Sequence, residues 1–137
     1  MTESKWIVAD MGKGSLAAFD WKFVLAILAE HRLRPLPGAK SWVAGWTVFR
    51  GAMIPVLGSR DWCSEKEGSI LIVLEYAGRK IACPVMRADW WQGVCSKDLE
   101  DVKNAPELPA TAIVTEGPWS GARCVDVPAL YRALGIQ

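Results

Sequence analysis

The amino-acid sequence predicts an all-β fold, built as one barrel or as a pair of small barrels. Short runs of β-forming residues recur at regular spacing along the 137 residues, and turns containing glycine or proline separate them. Helical periodicity is confined to two or three short segments. This combination is typical of β-barrels and β-sandwiches. A pair of barrels fits because the predicted hairpins divide evenly around the polar segment 59–69.

The first hairpin is predicted from Lys5–Asp10 and Leu16–Phe19, which flank a turn containing two glycines. Asp20 follows, and its carboxylate is suited to accept the free N–H groups at the start of a helix. The apolar residues of segment 21–30 fall at helical spacing. We therefore predict a short helix there, with continuation of the preceding strand as the alternative.

The second hairpin is predicted around the dipeptide Arg50-Gly51. Two β-rich runs, 46–49 and 52–57, flank this dipeptide, and Gly51 permits the positive φ angle that a tight turn needs. Segment 41–45, just before the hairpin, is predicted to form a single helical turn or a bend. The hairpin places one cation, Arg50, at the tip of an otherwise apolar stretch.

Two further hairpins are predicted after the polar segment. Ile70–Tyr76 and Lys80–Met86 flank a turn at Ala77-Gly78, and segment 111–127 forms the last hairpin. Segment 87–94, which lies between them, is predicted either to extend the sheet or to form a bend.

Two short helical segments are predicted near the C-terminal end. Ser96 is a suitable cap for about one helical turn. Asp126 or a neighbour caps a terminal helix, in which Pro128 occupies the first turn, where its missing N–H costs nothing, and Gly135 suits the end.

The composition argues against catalysis and against nucleic-acid binding. The net formal charge is +1, which is no basic field for a phosphate backbone. The single histidine, His31, has polar neighbours and no recognisable catalytic partner. The four cysteines, Cys63, Cys83, Cys95 and Cys124, are widely spaced without a C-x-x-C pair, which indicates thiols rather than zinc ligands. We predict no catalytic residue, no metal and no cofactor.

The sequence also predicts where the protein resides. The N-terminal residues lack the features of a signal peptide, and no apolar run is long enough to cross a bilayer. We expect a cytoplasmic protein that does not insert into a membrane. Its length fits one domain spanning residues 1–137, or two small halves packed closely together.

Segment 35–57 resembles the signature of the CheW-like domain family. Members carry a proline-rich lead, then Gly-x-x-Asn-Leu-Arg-Gly, then a strand ending in Val-Pro-x-x-Asp-Leu. The corresponding residues here are Gly45, Val48-Phe49-Arg50-Gly51 and Ile54-Pro55-Val56-Leu57. Segments 16–28, 70–86 and 124–135 are similar to other parts of the family pattern, so the resemblance covers nearly the whole chain.

The resemblance implies two intertwined five-stranded SH3-like β-barrels that share a core. It also implies a non-enzymatic chemotaxis adaptor, which couples the cytoplasmic tips of chemoreceptors (methyl-accepting chemotaxis proteins) to the regulatory domain of a CheA-like histidine kinase. Such adaptors bind receptor and kinase through different surfaces, and they associate with membrane-bound receptor arrays.

Several positions depart from the family pattern. Val48 stands where members have asparagine, and Ala26 stands where they have an acidic residue. Gly58-Ser59 replaces the Asp-Leu pair, and Met86 or Arg87 replaces an aspartate. The chain therefore resembles a divergent member, which we expect to serve chemotaxis, a type IV pilus or another alternative chemosensory system.

The candidate site residues have alternative interpretations, one structural and one functional. Arg50 is either a solvated turn residue or a fork of donors that holds nearby carbonyls or meets a receptor. Val24 and Ile27 are candidates for receptor binding, with a place in the core as the alternative. Of the eight tryptophans, Trp62 in the polar segment and Trp119 in a turn are candidates for a partner surface.

A different class of function stays open. The richness in tryptophan and the thiols are compatible with a barrel that binds a small molecule or performs chemistry on one. The poor inventory of catalytic side chains favours the adaptor.

Overall fold

The computed structural model describes residues 4–12, 14–29, 33–35, 38, 42–58, 70–94, 99–101, 110–115 and 118–136. These residues form eleven β-strands, one 3-10 helix and one α-helix. The strands are β1 Ser4–Gly12, β2 Ser15–Asp20, β3 Val24–Leu28, β4 Val43–Phe49, β5 Ala52–Leu57, β6 Ile70–Tyr76, β7 Arg79–Val85, β8 Arg87–Val94, β9 Leu99–Asp101, β10 Ala110–Val114 and β11 Arg123–Val125. The 3-10 helix is Trp21–Phe23, and the α-helix α1 is Val127–Ala133.

The strands form two sheets. Sheet A has the order β8-β1-β2-β11-β10-β9, and sheet B has the order β3-β6-β7-β5-β4. The chain begins in sheet A, builds all of sheet B and returns to sheet A, so the two sheets are intertwined. The predicted all-β class is confirmed, and sheet B has the five strands expected. Sheet A has a sixth because β9 pairs with β10 at its edge.

The helix predicted over segment 21–30 is wrong. Its alternative, a continuation of the preceding strand, is confirmed only in that Val24–Leu28 is a strand, since a 3-10 helix separates it from β2 and it belongs to the other sheet. Asp20 does act as a cap, since the Lys22 N–H donates to the Asp20 carboxylate at 3.1 Å. The helical turn ends after Phe23, and the chain continues as β3, which pairs antiparallel with β6. Pairing with β6 satisfies the backbone of β3 and packs the β-branched Val24 and Ile27 beside it, which outweighs the local periodicity.

Two other helical predictions are also wrong. Residues 43–45 belong to β4 instead of a helical turn or bend, because they pair with the end of β5. Residues 99–101, within the helical turn predicted after Ser96, form strand β9. Ser96 itself lies outside the described residues. In both segments a neighbouring strand supplies the hydrogen-bond partners, and the sequence alone does not reveal that strand.

The two predicted hairpins of sheet B are confirmed. Both central residues of each turn have positive φ angles, 52° and 79° for Arg50-Gly51 and 53° and 78° for Ala77-Gly78. Positive φ at both positions is the type I′ geometry, whose twist matches that of the flanking strands. Segment 87–94 extends sheet A as β8, and the last predicted hairpin is β10–β11.

Three apolar clusters hold the sheets. The largest lies between sheet A, sheet B and α1, and it includes Ile7, Met11 and Phe19 from sheet A, Leu57, Ile72, Leu74, Ile81, Cys83 and Val85 from sheet B, and Val127, Leu130 and Tyr131 from α1. The second lies within sheet A. The third joins Leu25 and Leu28 of β3 to Phe49 of β4 around buried residues of β5, β6 and β7. Both edge strands of sheet B, β3 and β4, thus contribute side chains to the same apolar interior, as an SH3-like barrel requires.

Helix α1 begins and ends as predicted. The Asp126 carboxylate accepts the Ala129 N–H at 3.1 Å, and Pro128 lies in the first turn. Gly135 takes a positive φ of 74° just beyond the helix. The buried Tyr131 hydroxyl donates toward the backbone carbonyls of Leu74 at 3.1 Å and Arg79 at 2.9 Å, which anchors α1 on the β6–β7 hairpin.

Candidate protein interaction surfaces

Arg50 stands at the tip of the β4–β5 hairpin and is exposed. Its guanidinium lies 4.7 Å from the ring centroid of Phe49, a cation–π contact that orients the side chain. The described residues contain two ion pairs, Lys22–Asp20 and Lys80–Glu75, and neither involves Arg50. Its charge is therefore free to meet a carboxylate of another molecule.

An exposed apolar strip runs down the hairpin from this cation. Val48 and Met53 are paired across the two strands, with 55% and 60% of their surface exposed. Trp46 and Pro55 are the next pair on the same face, and both are half-buried. We call these four residues the hairpin strip. Large apolar side chains side by side in solvent are typical of a surface that another protein covers.

Arg34 lies at the other end of the hairpin strip. Its backbone exchanges two hydrogen bonds of 2.8 Å with Trp46, and its guanidinium lies 5.5 Å from the Trp46 ring centroid. The strip therefore has a cation near each end. This distribution of charge is complementary to an apolar segment that carries acidic residues on both sides.

A groove continues the hairpin strip toward the core. It encloses about 680 Å³, and its walls include Trp42, Met53, Pro55, Arg79, Ile81 and Ile136. Met53 and Pro55 belong to both features, so the strip and the groove form one surface. The Trp42 indole N–H is buried and has no hydrogen-bond partner among the described residues.

Val24 and Ile27 lie on β3, which is the edge of sheet B opposite to β4 in the strand order. Val24 is half-buried and packs against the largest apolar cluster. Ile27 is 38% exposed. Neither residue is part of the groove beside the hairpin.

The structure reveals a pair of exposed tryptophans that the sequence analysis did not single out. The ring centroids of Trp21 and Trp90 lie 5.8 Å apart, and the two residues are 47% and 53% exposed. The Lys5 ammonium lies over both rings, at 5.1 and 5.5 Å from their centroids. The sequence signal was the surplus of tryptophans, but it could not show that these two meet.

The two tryptophans predicted to face a partner, Trp62 and Trp119, have different outcomes. Trp62 lies outside the described residues. Trp119 is half-buried and packs against the sheet A cluster that contains Val8 and Cys124. A part of its indole therefore belongs to the core of sheet A.

The comparisons with known proteins identify the family. The family model of the CheW-like domain matches residues 6–134. The chain belongs to the CheW-like domain family. Among the solved structures that match is the crystal structure of scaffolding protein TtCheW from Thermoanaerobacter tengcongensis. The TM-score is 0.71 at 17% identity, and the match covers 91% of this chain and 90% of that chain. No curated protein matches the sequence.

The CheW-like signature maps onto one structural element, the β4–β5 hairpin. Gly45 has no room for a side chain, because a Cβ there would meet the Arg34 carbonyl and the Leu33 side chain. Gly51 takes the positive φ angle predicted for it. Val48 replaces the asparagine of the CheW-like pattern at the most exposed part of β4, so this chain carries additional apolar surface beside Arg50.

The thiols that the structure describes are buried. Cys83 lies in the largest cluster, and Cys124 lies in the cluster of sheet A. Burial raises the pKa of the Cys124 thiol to about 11, which keeps it protonated and unreactive near neutral pH. Cys63 and Cys95 lie outside the described residues.

The described part of the chain has no group of three or more His, Cys, Asp or Glu side chains placed to hold a metal ion. Among the described residues, no helix has the length and apolar character needed to cross a bilayer.

Proposed function

We propose that this chain is a non-enzymatic adaptor that couples a chemoreceptor tip to a CheA-like histidine kinase through two separate surfaces. The observation that carries the proposal is the hairpin strip, which lies exposed beside Arg50 and runs into the groove. Family membership and the CheW-like fold support it. A single domain spanning 1–137 fits, because one apolar cluster joins both sheets and α1.

The hairpin surface is the receptor site in this proposal. The cytoplasmic tips of chemoreceptors are helical, and an amphipathic helix binds by laying its apolar face into a groove. Val48 and Met53 offer the apolar contact, and Arg50 offers a guanidinium to an acidic residue on the flank of the helix. An arginine beside well-packed apolar contacts is a common energetic centre of interfaces.

The Trp21–Trp90 pair is the kinase site in this proposal. It is built from the 3-10 helix and β8, so it shares no residue with the hairpin strip or the groove. Tryptophan is the residue most enriched at interface hot spots. Two surfaces without shared residues are what an adaptor needs to hold two partners at once.

Val24 and Ile27 stay proposed partner contacts. Ile27 has the larger exposed surface of the two, while Val24 is half-buried and packs against the largest apolar cluster. Ile27 is therefore the better candidate for direct contact with the receptor. Trp62 and Trp119 likewise stay candidates for a partner surface.

The cellular setting is also part of the proposal. We place the protein in the cytoplasm, associated with receptor arrays, without membrane insertion and without nucleic acid. The additional apolar surface at Val48 fits a receptor whose tip differs from that of common chemotaxis receptors, as in a type IV pilus or another alternative chemosensory system.

The test is the charge reversal Arg50→Glu. We expect the purified variant to lose binding to a chemoreceptor cytoplasmic fragment in a pull-down assay, with a native circular dichroism spectrum. Arg87→Glu is the matched control, since Arg87 is an exposed arginine on sheet A and its reversal should leave receptor binding intact. Unchanged receptor binding by folded Arg50→Glu would refute the assignment of this surface.

A small-molecule-binding barrel is the second candidate. The groove has a volume within the range of ligand sites, and the Trp42 side chain forms part of its wall. A thermal-shift screen with metabolites and metals separates the candidates. A large shift with one compound favours ligand binding, and stabilisation only by a kinase regulatory domain favours the adaptor.

A further inference from the structure

The groove is lined by β5, through Met53 and Pro55, and by two further walls that come from different parts of the chain. One wall is the beginning of β7, with Arg79, Lys80 and Ile81. The other includes Gly135 and Ile136, just beyond α1. The width of the groove therefore depends on how α1 is held against the β6–β7 hairpin.

Tyr131 connects both walls through hydrogen bonds. Its side-chain hydroxyl donates to the Arg79 carbonyl at 2.9 Å and lies 3.1 Å from the Leu74 carbonyl. Its backbone carbonyl accepts the Ile136 N–H at 3.0 Å. One residue thus links Arg79 on the first wall to Ile136 on the second.

The ring of Tyr131 is held in place as well. It is 2% exposed and packs edge-on against Tyr76, with ring centroids 5.5 Å apart at an interplanar angle of 78°. Tyr76 is near the end of β6, directly before the turn that leads to Arg79. The ring and the hydroxyl therefore hold the same hairpin end.

We infer that Tyr131 is a positioning residue that sets the width of the groove and thereby the affinity for the partner that binds there. Apolar packing of Val127 and Leu130 also holds α1, but such contacts have no preferred direction and permit small shifts. A hydrogen bond has a preferred distance and angle, so it selects one position. The partner named here, a receptor helix, rests on the proposed function.

Tyr131→Phe tests the inference, because it keeps the ring and removes the hydroxyl. Leu74 pairs with Ile81 and Arg79 pairs with Tyr76 in the β6–β7 ladder, which holds the hairpin without the hydroxyl, so the variant should keep its fold. We expect the dissociation constant for a receptor cytoplasmic fragment to rise about three- to tenfold, the usual effect of losing one buried hydrogen bond. Binding of the kinase regulatory domain should stay unchanged.

Tyr76→Phe is the matched control. Its ring packs on Tyr131, and its hydroxyl makes no hydrogen bond within the described part of the chain. It should leave both affinities unchanged. Equal weakening of receptor and kinase binding by Tyr131→Phe would show a general loss of stability and overturn the inference, as would an unchanged receptor affinity.

A second measurement does not depend on any partner. Amide hydrogen exchange at Ile136 reports how firmly the second wall is held. We expect exchange to be at least severalfold faster in Tyr131→Phe than in the wild type, and unchanged exchange would overturn the inference. If the wild type fails to bind the receptor fragment while Ile136 exchange responds, the proposed function fails and the positioning role stands.

Discussion

Trp21 and Trp90 meet on the surface with ring centroids 5.8 Å apart, although one belongs to the 3-10 helix and the other to the edge strand β8. Lys5 lies over both rings, so three elements contribute to one exposed patch. Aromatic contacts of this kind are usually buried. The exposure of the Trp21–Trp90 pair is the basis for proposing that a partner binds there.

Trp90→Ala should separate kinase binding from receptor binding. We expect at least a tenfold weaker affinity for the kinase regulatory domain, measured by titration calorimetry, because hot-spot tryptophans commonly contribute about 2 kcal/mol or more. Receptor binding should not change. Met86→Ala is the control, since Met86 is another exposed apolar residue and lies directly before β8 of sheet A. Wild-type kinase affinity in Trp90→Ala would rule out this surface.

The two type I′ turns allow the effect of a turn residue on stability to be separated from its effect on receptor binding. Asparagine tolerates the left-handed conformation better than arginine or alanine, and Asn-Gly is the preferred type I′ pair. Arg50→Asn and Ala77→Asn should each raise the free energy of unfolding by roughly 0.5–1 kcal/mol in urea denaturation. Only Arg50→Asn should lose receptor binding. A receptor affinity retained in Arg50→Asn would mean that the turn shape, not the guanidinium, matters.

Gly45→Ala should destabilise the hairpin. The added Cβ would collide with the Arg34 carbonyl, which accepts the Trp46 N–H, so the Arg34–Trp46 bridge must shift. We expect a loss of about 1–3 kcal/mol, as for other overpacked sites, measured by thermal or urea unfolding. Gly14→Ala is a useful comparison, because Gly14 has open space around its Cα and only its positive φ opposes a side chain. Equal losses at both positions would contradict the steric explanation.

Tyr131 should make the free energy of unfolding decrease at alkaline pH. Burial raises the pKa of this phenol well above its ordinary value near 10, so the folded state keeps its proton after the unfolded chain has lost it. Stability is therefore full below about pH 10 and falls as pH rises above it, by up to about 1.4 kcal/mol per pH unit. Urea denaturation from pH 8 to 11 should show a smaller decline in Tyr131→Phe. Identical declines would contradict the assignment.

The turn chemistry and the caps could be read from the sequence because they depend on neighbouring residues. Gly51 and Gly78 permit their turns, and Asp126 caps α1 through a residue three positions away. Arg50 could likewise be placed at a tip. The family pattern, which is concentrated in one hairpin, also depends on short spacing.

The sequence by itself determined the all-β class, the hairpins of sheet B and the place of Arg50, since each follows from local backbone preferences. The tertiary structure decided that segment 24–28 is a strand, because β6 supplies its hydrogen bonds. It also decided that Trp21 meets Trp90 and that the Tyr131 hydroxyl reaches Arg79. These contacts join residues far apart in the chain, and only the packing of two intertwined sheets brings them together.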